Sequence, residues 1–157
     1  VNWYRKAQTI VVYHNTNSKL LDTISLVGLQ VDQQWGKSEG SKEMVENIYG
    51  MKPIFVSLDP EQFKEDGDVT LIIDASGIPL VADAPSVYDH GAHYDENGMW
   101  FESNQEPEQL KPLLDENGMI YYKDMITPGN PVAQECIRMT RTAAIMQNVE
   151  PGRITKS

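Results

Sequence analysis

The chain holds a single cysteine, Cys136. One thiol cannot close an internal disulfide, and a lone cysteine fits a reducing compartment, so the expectation is a cytoplasmic protein. Cys136 falls inside a helical pattern, where an unpaired cysteine reads as a small core hydrophobe. No apolar run reaches the roughly 18 residues of a membrane-spanning helix. The one apolar stretch near the start, within VNWYRKAQTIVVYH, has the length of a strand and not of a signal sequence. Positive charge is scarce: 13 Lys and Arg stand against 23 Asp and Glu, for a net charge of −10 and a pI near 4.6. The closest basic grouping is Arg138 and Arg141 with Arg153 and Lys156. That excludes a broad phosphate-neutralising surface for nucleic acid, though not a pocket for one nucleotide, which needs only a few donors. Low-complexity tracts, a Walker loop, Gly-x-Ser-x-Gly, Gly-x-Gly-x-x-Gly and paired zinc cysteines are all missing.

At 157 residues the chain fits one domain with its own core. Residues 8–13 (QTIVVY) are β-branched and aromatic and predict a strand that ends at His14. Asn15 to Ser18 are helix-capping types, and Leu20, Leu21, Ile24 and Val27 follow at helical spacing up to a stop at Gly28. Leu29 and Val31 then return to the core. Residues 42–49 predict a short helix, after a stretch in which Trp35 and Gly36 suggest a mobile loop carrying an aromatic. Residues 53–58 predict a strand, and Asp59-Pro60-Glu61 a helix start. Val69 to Ile73 predict a strand that turns at Ser76-Gly77 and returns over Ile78 to Val81. Residues 83–98 are read as loop, 99–101 as a short strand, 107–114 as a short helix and 119–122 as another strand.

The pentapeptide Asp-Glu-Asn-Gly-Met occurs at 95–99 and again at 115–119. Asn-Gly is a favoured tight-turn dipeptide, so shared turn chemistry explains the repeat. Asn130 and Pro131 open a last helix, read over 131–147. In it Val132, Cys136, Met139, Ala143 and Met146 form an apolar stripe that packs on the core, with part of it available to a partner chain as an oligomer contact.

Four segments in order resemble the ADP-ribosyltransferase fold. Tyr13-His14-Asn15-Thr16, a short helix and Gly28-Leu29 resemble its opening; Ile54 to Pro60 resembles its second-motif strand. Val69 to Asp74 with Gly77 to Leu80 resembles the middle hairpin. Asn117 to Tyr122, with Ile126-Thr127-Pro128 and Glu135-Cys136-Ile137, resembles the closing segment, which the tRNA 2′-phosphotransferases share. The resemblance covers residues 8–137. It implies a single α+β domain over 1–157, built from split antiparallel sheets with short flanking helices and the C-terminal helix. It implies NAD as substrate and ADP-ribose transfer to an unidentified acceptor, with nicotinamide released.

Such transfer passes through a cation resembling an oxocarbenium ion, so a site must hold the ribose and stabilise positive charge. By the resemblance, His14 bonds a ribose, Tyr13, Asn15 and Thr16 shape the pocket, and Phe55 and Ser57 flank the nicotinamide. A neutral imidazole suits the first role because it both donates and accepts. Asn15 stands where the family commonly has glycine. The family's third-motif glutamate falls on Met119 or Ile120, which cannot serve, and leaves Glu102, Glu116 and Glu135 as candidates. Besides an assembly protein that uses the C-terminal apolar stripe as its interface, two alternatives stay open. One is a module that binds NAD or ADP-ribose without turnover. The other is a 2′-phosphotransferase-like enzyme, for which only Arg5 lies near the first strand. His90 and His93 form a His-x-x-His beside Asp89 that could take a metal; in a Gly-containing loop they are read as exposed polar residues instead.

Overall fold

The computed structural model describes residues 10–32 and 39–157. Trp35, Gly36 and Arg5 lie outside the described residues. The chain is α+β, with a five-stranded and a three-stranded antiparallel sheet.

Strand β1 (Val11–Thr16) runs two residues past His14. Asn17 accepts a hydrogen bond from the Lys19 amide through its side chain and starts a single 3-10 turn, Ser18–Leu20, that leads into α1 (Leu21–Val27). Gly28 stops α1 at φ 78°, and a Cβ there would drive into the Val149 carbonyl. Leu29 bridges Val149 and is buried. Helix α2 (Glu39–Tyr49) leads to β2 (Ile54–Ser57) and β3 (Val69–Asp74). Helix α3 (Ala84–Asp89) precedes β4 (His93–Tyr94) and β5 (Gly98–Trp100). Then follow β6 (Ile120–Tyr121), α4 (Tyr122–Met125), α5 (Pro131–Thr140), β7 (Thr142–Ile145) and β8 (Ile154–Lys156).

The large sheet has the order β7-β2-β1-β3-β8, with β1 at its centre; the small one is β4-β5-β6. Strand alternation sorts the core into two layers. On one face Val12, Val56, Leu71, Ile73 and Ile145 pack with Ile24 of α1, Leu29 and Val149. On the other, Phe55 and Ala144 pack with α2, α3 and α5 and with Met99 and Ile120 from the small sheet. The β-sheet thus sits between two apolar layers, the arrangement that removes both of its faces from water.

Several sequence expectations are corrected. No helix starts at Asp59: its carboxylate accepts from the Glu61 amide in a tight turn, and only a 3-10 turn, Lys64–Asp66, follows. Local side-chain bonds of this kind compete with helix formation. The hairpin after Gly77 is also missing. Strand β3 pairs β1 and β8, and only Val81 of the expected return bridges a strand, at Ala144. Pro79 lacks the amide that a ladder needs there. Residues 83–98 are not loop, because Asp83 caps α3 through the Ser86 amide and Pro85 sits in its first turn. The stretch 107–114 keeps only a 3-10 turn, Lys111–Leu113, with Pro112 inside it.

The last helix does not run over 131–147. It ends at Thr140, and Arg141, at φ 60°, caps it by donating its amide to the Ile137 carbonyl. The apolar stripe continues into β7, all four of whose residues are buried, and a fully buried strand carries no alternation to set it apart from a helix. Val132 and Cys136 of α5 face the chain's own core. The two Asp-Glu-Asn-Gly-Met copies are parallel turns: Asp95 accepts from the Asn97 and Gly98 amides, and Asp115 from those of Asn117 and Met119. No helix among the described residues is long and apolar enough to cross a membrane.

Candidate functional site

Strand β1 pairs β3 along its whole length but meets β2 in register only at Tyr13↔Ser57. Where the next β1–β2 pair would form, the Phe55 carbonyl accepts from the His14 ring instead, with Nδ1 2.7 Å away. A carbonyl only accepts, so this bond fixes the proton on Nδ1 and leaves the Nε2 lone pair exposed to other donors. Among the described residues Nε2 has no protein partner. Burial lowers the His14 pKa most; the Phe55 carbonyl opposes that, the Lys52 charge adds to it and the Asp66 charge again opposes. The ring is therefore neutral at pH 7, with a lysine and an aspartate as its charged neighbours.

The residues around it form a laced strand end. Asn15 accepts from the Thr70 hydroxyl (2.7 Å) and donates to the Gln62 carbonyl (3.3 Å). Thr16 is buried, and Gly67 lies so close to its backbone that no Cβ fits. The Ser18 amide and hydroxyl both bind the Asp68 carboxylate at 2.7 Å, which holds that acid below its usual range.

Alternation divides the expected site between the two faces of the sheet. His14 and Thr16 share the face of Val12, while Tyr13, Asn15, Phe55 and Ser57 share the other. Phe55 meets the edge of Tyr49 in the core, with ring centroids 6.0 Å apart. The buried Ser57 hydroxyl donates to the Asp59 carbonyl (2.6 Å) and accepts from the Asp59 amide (2.9 Å), so it is committed to the following turn. The two residues expected to flank one pocket with His14 are thus core and turn residues behind the sheet.

The three candidate glutamates are scattered. Glu102 pairs His93 at 2.9 Å beside the small sheet, and Glu116 is exposed in its turn. Glu135 meets Arg138 at 3.4 Å through one oxygen, while the other is buried without a hydrogen bond. None of the three bonds His14; the carboxylate whose charge reaches the ring is Asp66. His90 and His93 also part ways, with the His90 ring on the Ser86 carbonyl and the His93 ring on Glu102. No group of three potential metal ligands occurs among the described residues.

A cavity of about 190 Å³ opens on the His14 face, between Leu21, Ile24 and Ser25 of α1 and Leu71, Ile154 and Lys156. Leu71 is the register partner of His14, so the cavity is its neighbour. Its volume is below the usual 300–1,000 Å³ of small-molecule pockets, too little to enclose a dinucleotide.

The sequence reading missed one polar cluster, behind the sheet. Asp83 accepts from the Ser86 amide at 3.0 Å, and the Thr142 side chain helps to hold its charged form against burial. The Thr140 and Thr142 hydroxyls are 2.7 Å apart, and the Tyr49 hydroxyl donates to the Ala82 carbonyl and accepts from the Ala84 amide. Burial pushes the Asp83 carboxyl up to about 6. The signal was present in Asp83-Ala84-Pro85-Ser86, a cap followed by a first-turn proline.

No family model, curated protein or solved structure matches the chain.

Proposed function

We propose that the chain binds NAD or ADP-ribose at the open end of β1 and does not turn it over. The observation that carries this is His14: a neutral imidazole, oriented by the Phe55 carbonyl, whose Nε2 is left to accept from a ribose hydroxyl. The neighbouring Lys52 charge suits a diphosphate, and Asp66 suits a second ribose hydroxyl. Glu102, Glu116 and Glu135 all stand apart from this point, which favours a binding or sequestering module over an enzyme.

Asp66 is the observation that favours ADP-ribose transfer as the second reading. A carboxylate whose charge reaches the ring can stabilise a developing ribose cation, taking the glutamate's part.

Titrating NAD and ADP-ribose into the wild type, His14→Ala and Asp66→Asn while following nicotinamide release separates them. Saturable binding that His14→Ala weakens at least tenfold, about 1.4 kcal/mol, without nicotinamide release, is the expected result. Release that depends on Asp66 would favour the transferase. Equal binding by His14→Ala, or none by the wild type, overturns both.

A further inference from the structure

No lysine or arginine occurs between Lys64 and Lys111, while that stretch holds eleven carboxylates. It contains α3 and most of the small sheet, whose edge strand is β4. Around β4 the surface is aromatic. Tyr88 and Tyr94 meet edge to face at 5.3 Å, and both are nearly half exposed, at 44% and 48%. Beside them His93 stacks on the partly buried Trp100 at 5.7 Å and bonds Glu102. Asp89, Asp95, Glu96 and Glu102 are all exposed around these rings. Hydrophobic rings of this size are normally buried or used at interfaces, where tyrosine and tryptophan are enriched.

We propose that the β4 edge, with Tyr88, Tyr94 and Trp100 at its centre, docks a lysine- or arginine-bearing peptide segment of a partner protein. The charge argues for that occupant. Tyrosine and tryptophan faces attract ammonium and guanidinium groups, and the surrounding carboxylates supply the ion pairs. The planar His93 ring, held between Trp100 and Glu102, already displays the geometry that a guanidinium would adopt. A second copy of this chain would bring the same acidic rim against itself, and nucleic acid would meet carboxylates.

The test is calorimetric titration with nona-arginine and nona-lysine peptides at two salt concentrations, against the wild type and three variants. Tyr88→Ser with Tyr94→Ser keeps the charge and removes the rings. Asp89→Asn, Glu96→Gln and Glu102→Gln remove rim charge. Glu43→Gln with Glu46→Gln, on the exposed side of α2, removes remote charge. Thermal melts confirm that each form folds. Saturable binding that loses about tenfold with the tyrosine pair, and at least as much with the rim set, while the α2 control stays near wild type, supports the proposal. Equal weakening by rim and α2 variants, with no effect of the tyrosines, means diffuse attraction to an acidic surface and overturns it. Concentration-dependent dimerisation abolished by the tyrosine pair assigns the edge to a second copy and also overturns it.

Discussion

The two faces of the large sheet each desolvate a titratable side chain on or beside a strand end, His14 in front and Asp83 behind, and they treat it in opposite ways. On the front face His14 makes a single bond, to the Phe55 carbonyl, and keeps Nε2 without a protein partner among the described residues. On the back face Asp83 accepts from the Ser86 amide and caps a helix. Both are pushed by burial toward their neutral forms. The difference lies in what each bond serves: Asp83 uses its bond to cap a helix, whereas His14 has an acceptor left to offer. An unspent acceptor on a rigid central strand is what a binding site requires, and a spent one is architecture.

The largest test of that division strips packing from beneath His14. Leu71 is 2% exposed, pairs His14 across β1 and β3 and borders the front cavity. Leu71→Ala should cost about 3 kcal/mol, within the range for buried leucines that leave a cavity. Chemical denaturation measures it. A cost under about 1 kcal/mol would mean that the front layer collapses freely and does not hold the ring.

On the back face, Asp83→Asn keeps a capping oxygen and removes the ionisation. The folded carboxyl titrates near 6, above its ordinary value of about 3.9. The fold therefore favours the neutral acid: this stabilisation is complete below about pH 4 and lost as pH rises through 6. Two pH units correspond to about 3 kcal/mol, so Asp83→Asn should gain up to that much over wild type at pH 8 and almost nothing at pH 4. Denaturation curves at both pH values decide it. A loss at pH 8 would show that the Ser86 bond needs the carboxylate.

His14 supplies the opposite sign on a smaller scale. Its folded pKa is lowered, so its contribution is present above the ordinary value near 6.5 and lost as the pH falls through the folded value. His14→Ala should cost about 1 kcal/mol at pH 8, the net worth of one hydrogen bond. It should also abolish the front-face share of the acid sensitivity. Nucleotide affinity of the wild type should stay flat from about pH 7 to 8, where the imidazole is already neutral. An affinity that rises on acidification would mean that the imidazolium is the binding form.

The same two faces show what the sequence could tell. Local signals were legible: the β-branched run of β1, the stop at Gly28 and the caps at Asn17 and Asn130 all stand where their chemistry puts them. The α+β class was implied by the resemblance that these segments carry, and the chain is α+β. What failed depended on partners far along the chain. That His14 and Phe55 fall on opposite faces is set by one register pair, Tyr13↔Ser57, and alternation within a single strand cannot reveal it. Strand β7 was hidden because its neighbours cover both faces and leave no pattern. Asp83 was overlooked because a cap and a first-turn proline also spell a loop until the helix behind them is seen.

Cys136 gives the smallest effect and marks the limit of the back layer. Its side chain lies in the core beneath α5, and burial pushes the thiol up to about 12. The thiolate is the nucleophile, so at pH 8 the folded chain should leave a thiol reagent unconsumed. Reaction should begin only as the protein unfolds, with a denaturant midpoint that follows the loss of tertiary signal. Rapid labelling under native conditions would mean that α5 lifts from the sheet well before global unfolding. The Asp83 cluster, which leans on Thr140 and Thr142 at the end of that helix, would then be a labile element and not the fixed half of the pair.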